Sequence, residues 1–234
     1  MAGFLACDLS GDDDPSDPAG TGEGLWTVMV WLDGDNDLNP EAIIDFHEME
    51  YGLYLAQSYD DDILEKLQVI VQYDSNAEYN TASSTHGIYK VRPASTAASG
   101  SADLSNKIQS IDEPNMGSAA ELADFIDFCK TTYPAEHYAL ILWNHGGGVR
   151  SLRNDSADVI SREICEDQTD DDYLYVGEIK DYLDSSHSVD FLGMDACLMG
   201  FLEVAYEFRP GTGDFAADVM AFSPAAEQGD GWEY

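Results

Sequence analysis

The chain has 234 residues, of which 44% are hydrophobic, so it can bury a sizeable core and is not a wholly disordered polymer. Its 46 Asp and Glu stand against 10 Lys and Arg, for a formal net charge of -36. Such a surface repels phosphate backbones and anionic lipid headgroups. That excludes nucleic-acid binding and favours basic peptides, basic partners or divalent cations.

The first unit spans residues 1–24. Residues 1–7 (MAGFLAC) end in Leu-Ala-Cys, as bacterial lipoprotein signals do, which makes Cys7 a candidate lipid anchor, although a basic n-region and a longer apolar segment are missing. The acidic stretch behind it, rich in Asp, Gly, Pro and Ser, has little to bury and reads as a disordered tether. Together they point to a secreted or extracytoplasmic protein. No run of 18 apolar residues exists, so no transmembrane helix is predicted.

Residues 25–234 read as one folded domain. Residues 26–32 form a continuous apolar run suited to a strand buried on both faces, followed by a polar turn at 33–37. Ile43, Ile44, Phe46, Met49, Leu53 and Leu55 recur near helical spacing over 41–57. Strands are predicted at 67–73 and, in a hairpin, at 87–91; a helix follows at 117–133 and a buried strand at 138–143. Residues 149–175 are polar, acidic and without clear period. A short helix is predicted at 176–183, a strand at 189–194, a helix at 198–208 and a strand at 217–223. Strands alternating with helices imply a mainly parallel α/β sheet covered on both faces, with ligands bound beyond the carboxyl ends of its strands.

Two residues stand just past such strand ends. His145 opens a His-Gly-Gly-Gly run, and Cys197 follows residues 189–194 with a predicted helix behind it. Imidazole is suited to act as general base and acid near neutral pH. A cysteine at a helix N-terminus has a lowered pKa and backbone N–H groups beside it. The N–H groups of Gly146 and Cys197 are the candidate oxyanion donors. Taken singly, each residue reads as structural; placed together at neighbouring strand ends, they read as the nucleophile and base of a cysteine peptidase.

Residues 26–38 (WTVMVWLDGDNDL), 138–148 (YALILWNHGGG) and 194–200 (MDACLMG) resemble the clostripain family of cysteine peptidases, and 203–207 and 229–232 continue the likeness. The resemblance implies a caspase-like αβα sandwich, a His145/Cys197 dyad and cleavage after Arg or Lys, with Asp195 lining the P1 pocket. The 52-residue separation of His145 and Cys197 is near that of caspases, about 50 residues. A buried carboxylate can pair with guanidinium, although Asp195 also suits an N-cap for the following helix. Glu227 and Asp230 are further candidates for the pocket. The resemblance also implies a zymogen cut between the two catalytic residues, where Arg150, Arg153 and Arg162 are the candidate sites. It implies further that related chains continue beyond residue 232, so that this one is truncated at its C-terminus. No cofactor is required for the chemistry. Calcium is implied as a structural or activating ion; Asp33, Asp35 and Asp37 alternate like the start of an EF-hand loop, but the pattern fails at Leu38 and Ile44.

Of the other cysteines, Cys129 is expected in the core and Cys165 in an exposed flexible segment; no CxxC pair supports zinc. His47, His86, His137 and His187 have no partner readable from the sequence. A catalytically silent caspase-like binding module or an inactive truncated fragment is the alternative to the peptidase. A serine esterase is set aside because no GxSxG elbow exists.

Overall fold

The structure is a computed structural model that describes residues 24–76, 78–79, 86–95, 104, 106–147, 150–154, 157–227, 231–232 and 234, with backbone alone at 150–154 and 157–161. Its elements in chain order are β1 (Gly24–Gly34), α1 (Asn39–Gln57), α2 (Ile63–Lys66), β2 (Leu67–Ser75), β3 (Gly87–Lys90), β4 (Lys107–Ser110), α3 (Ala119–Thr132) and β5 (Ala135–Trp143). Then come β6 (Arg150–Asn154), β7 (Ala157–Ser161), β8 (Glu163–Asp167), β9 (Asp172–Tyr175), α4 (Val176–Tyr182), β10 (Val189–Asp195), α5 (Leu202–Glu207) and β11 (Ala217–Phe222).

Seven strands form one sheet in the order β11-β10-β5-β1-β2-β3-β4, the first five parallel and the last two joined antiparallel. Strand periodicity assigns alternate side chains to opposite faces. In β1, Met29 and Trp31 enter one core with Leu122, Phe125 and Ile126 of α3, Ile179 of α4 and Val204 of α5. Val30 and Leu32 enter the other, against Ala42, Phe46 and Met49 of α1. The result is the expected αβα sandwich with a mainly parallel sheet. Local sequence supports the flanking helices: Pro40 sits in the first turn of α1, and Ser118 caps α3 by accepting from the Glu121 N–H.

Three expectations change. Residues 149–175 hold two antiparallel hairpins, β6–β7 and β8–β9, where no periodicity was legible. Cys165 lies in β8 and is fully buried rather than exposed. The helix expected from residue 198 begins only at Leu202, because Leu198 has φ 61° and breaks a helical path. The histidines do have partners: His47 with Glu50, His86 with Asp74, His137 with Asp190 and His187 with Asp184. Cys129 is core, as expected.

Candidate active site

β5 lies between β1 and β10, and Asp195 is the register partner of Trp143. All three strands run the same way, so their carboxyl ends deliver residues 33–37, 144–147 and 195–197 to one edge of the sheet. There a cleft of about 130 Å³ is lined by Leu38, Trp143, Asn144, His145, Asp195, Ala196, Cys197, Glu227 and Gly231. His145, Cys197, Asp195 and Glu227, singled out from sequence, therefore share one cavity.

The His145 segment is held from below. Asn144 donates through Nδ2 to the Asp33 carbonyl at 2.8 Å, and its N–H donates to the Asp195 carbonyl at 3.3 Å. The Gly147 N–H donates to the Glu163 carbonyl at 2.9 Å, and Gly146 bridges to Ile164, so β8 supports the segment from the side. His145 Nε2 lies 2.7 Å from Asp37 Oδ1. Gly146 packs so closely on residue 197 that a Cβ would fall on the Cys197 carbonyl oxygen, which accounts for glycine at this position.

The Cys197 sulfur receives the Glu227 N–H at 3.2 Å. No hydrogen bond joins it to His145, although both line the cleft. No helix begins at Cys197 either, so the expected helix N-terminus behind the thiol is absent; the nearby donor is the backbone N–H of Glu227 instead.

Asp195 is 4% exposed. With α5 starting at Leu202 and capped by Phe201, Asp195 caps no helix. Its Oδ2 accepts from the Trp232 N–H at 3.0 Å and the Tyr234 hydroxyl at 2.9 Å. Burial pushes its carboxyl upward, opposed by those two donors. Glu227 is also pushed up, by burial first and then by Asp195; its Oε1 accepts from Trp232 Nε1 at 3.0 Å. Two acids thus lie together on the wall of the cleft.

Arg162 lies apart from the cleft and is paired through Nη1 with Glu207 at 2.9 Å, a carboxylate that Lys180 shares. Arg150 and Arg153 fall in β6, described as backbone only. Asp230 and Cys7 lie outside the described residues. No described helix is long and apolar enough to cross a membrane.

Sequence reasoning missed Asp37 as the partner of His145, and Trp143 with Asp45 behind it, where Trp143 Nε1 donates to Asp45 Oδ2 at 2.6 Å. The Asp-rich turn at 33–37 was the available signal for Asp37.

The fold has counterparts among known proteins. The sequence profile of the Clostripain family matches residues 30–234. Clostripain of Hathewaya histolytica is 36% identical over 226 residues, covering 89% of this chain and 40% of that protein. A secreted C11 cysteine protease from Bacteroides thetaiotaomicron, solved with an irreversible peptide inhibitor, superposes with a TM-score of 0.62 at 25% identity, over 90% of this chain and 52% of that one. An inactive zymogen C11 protease from Parabacteroides distasonis shares the fold at 23% identity, with a TM-score of 0.63, over 91% of this chain and 52% of that one. The chain thus spans about half the length of these relatives or less. On the profile match and the clostripain identity together, the chain belongs to the clostripain family.

Proposed function

We propose that the chain is a cysteine endopeptidase that cleaves after Arg or Lys, with Cys197 as nucleophile and His145 as general base and acid. The observation that carries this reading is the convergence of His145, Cys197 and Asp195 on one cleft at the ends of two paired parallel strands. With Nε2 held by Asp37, Nδ1 of His145 is the nitrogen left to take the thiol proton. The sulfur attacks the scissile carbonyl carbon, and the oxyanion is received by the N–H groups of Gly146 and Cys197. Collapse breaks the C–N bond as His145 protonates the leaving amine. Water, deprotonated by His145, then hydrolyses the thioester and restores the thiol. The P1 guanidinium or ammonium enters against Asp195, aided by Glu227 and Asp230.

The purified chain is assayed on fluorogenic peptides with Arg, Lys, Asp or Leu at P1, with Cys197→Ala as the blank. Cleavage after Arg or Lys that disappears in the variant supports the dyad and the pocket together. Cleavage after Asp or Leu keeps the peptidase but overturns the pocket. No cleavage of any substrate favours an unprocessed zymogen, an inactive fragment or the silent binding module.

The domain organisation belongs to the same reading: a tether ahead of a peptidase domain that begins at Gly24, the first residue of β1 rather than the last of the tether, outside the cytoplasm, with lipid on Cys7 as the anchor. Self-processing is assigned to Arg150 or Arg153. Cutting at Arg162 would require it to give up Glu207, as well as the hydrogen bond from the Val176 N–H to its carbonyl. A Cys197→Ala chain that is still cut on its own would sink the self-processing idea. Calcium acts in this scheme outside the chemical step, as a structural ion.

A further inference from the structure

We propose that Asp35, Asp74, Glu113 and Asp167 form a calcium site that braces the His145 segment. Each carboxylate offers one oxygen, and the four oxygens lie within 4.8 Å of one another. They come from four places in the fold: just past β1, inside β2, between β4 and α3, and the end of β8. This is a different set from the alternating Asp33, Asp35 and Asp37 of the sequence. Asp33 Oδ1 accepts from the Asp35 N–H, and Asp37 goes to His145.

A cluster of acids alone points to no ligand; the orphaned oxygens here do. Asp35 and Asp74 are 1% and 0% exposed, yet Asp35 Oδ1 and Asp74 Oδ2 accept no hydrogen bond. A buried carboxylate oxygen left unpaired is costly, and a cation is the partner that satisfies several at once. The remaining oxygens are tied as the outer contacts of metal ligands are. Asp35 Oδ2 accepts from the Thr169 N–H at 2.6 Å, and Asp74 Oδ1 from Ser75 N–H at 2.7 Å and pairs with His86 Nδ1 at 2.6 Å. Asp167 accepts from the Met116 and Asp170 N–H groups at 2.8 and 2.9 Å.

An all-carboxylate donor set selects a hard cation. Two oxygens on one ion lie at most twice the metal–oxygen distance apart, roughly 4.6–5.2 Å for calcium and about 4.0–4.2 Å for magnesium. The span of this set is within calcium's reach. The consequence for the cleft runs through two short paths. Asp35 is two residues from Asp37, the partner of His145, and its carbonyl accepts from the Gln168 N–H at 3.0 Å. Asp167 ends the strand whose Glu163 carbonyl holds Gly147. An ion joining Asp35 to Asp167 therefore fixes both supports of the His145 segment.

This gives named ligands to the calcium of the preceding reading. The test reads binding in a chain that cannot turn over, so its failure is separate from failure of the peptidase assignment. The chelator-treated Cys197→Ala chain is titrated with calcium by calorimetry and melted with and without the ion. Expected are one saturable site and a Tm rise on the order of 5 °C at a hundred-fold excess over Kd, with magnesium giving neither. Asp35→Asn with Asp74→Asn should weaken calcium at least 100-fold and remove the Tm response, while Asp61→Asn with Asp62→Asn, on exposed surface, should leave both unchanged. Glu113→Gln, an exposed ligand whose loss threatens no core, should weaken binding about tenfold. Amide exchange over 144–147 should slow when calcium is added. Absence of a saturable site in the parent, an unchanged affinity in the double or Glu113 variant, an equal response to magnesium, or exchange at 144–147 indifferent to calcium would each overturn the corresponding part of the assignment.

Discussion

His145 and Asp37, 108 residues apart in sequence, are joined across the carboxyl ends of β5 and β1 by a 2.7 Å contact between Nε2 and Oδ1. Both side chains are open to water, at 41% and 63% exposure, so the pair contributes at most about 1 kcal/mol. It orients the ring without locking it. Asp37→Asn should therefore lower kcat/KM on an Arg substrate about 3- to 10-fold, with kcat carrying the loss, and leave alkylation of Cys197 stoichiometric. A loss beyond about 100-fold would make Asp37 an obligatory third member of the catalytic group.

Asp195 should decide the P1 residue. Enclosed at the cleft wall and already holding the Trp232 N–H and Tyr234 hydroxyl, it has little freedom to move from an incoming cation. Charge-assisted pairing with a buried carboxylate contributes roughly 2–4 kcal/mol, or about 30- to 1000-fold. Asp195→Asn should cost that much in kcat/KM for P1 Arg and little for a P1 Leu peptide cut at a basal rate. Equal losses on both substrates would mean that the residue shapes the Cys197 turn and does not read P1.

Most of this architecture is legible in the residues because the central strands are apolar on both faces and α3 carries an apolar stripe of Leu122, Phe125, Ile126 and Cys129. Trp31 and Leu32 declare their strand whichever face they serve. What stays hidden has physical causes. The β8–β9 hairpin is built around a few buried groups, Ile164, Cys165 and Leu174, in a stretch whose acids mask any period. The late start of α5 depends on Leu198 at positive φ, a conformation that leucine does not announce. In the site, His145 and Cys197 were readable as strand-end chemistry, and Asp195 through the family resemblance. The pairing of Asp37 with His145 was not, since it joins separate strands and depends on the order β10-β5-β1.

The thiols should differ sharply in reactivity. Cys129 and Cys165 are both 0% exposed, and burial pushes both thiols well above the ordinary cysteine range. Cys197 opens on the cleft. Brief iodoacetamide treatment of the native chain, followed by peptide mass mapping, should find modification at Cys197 and less than about a tenth as much at Cys129 and Cys165. Unfolding in urea should make all three react. Native labelling of Cys165 would show that the β8–β9 hairpin opens readily, and would weaken its role as a support for Gly147.

Asp45 should make stability depend on pH. It is 1% exposed on α1, and burial pushes its carboxyl up to about 8, with the Trp143 indole N–H opposing and the charges of Asp195 and Glu48 adding. A folded-state value raised above the unfolded one gives a contribution that is whole below the unfolded carboxylate range. That contribution declines as pH rises and is lost once pH passes about 8. Asp45→Asn keeps an acceptor for Trp143 Nε1 and removes the titration. In a Cys197→Ala background the variant should match its parent near pH 4 and exceed it by on the order of 1–3 kcal/mol at pH 8, read from urea midpoints across the range. A difference between the two that stays constant from pH 4 to pH 8 would mean that Asp45 ionises in the folded protein much as it does unfolded, and that Trp143 is held by a carboxylate already charged.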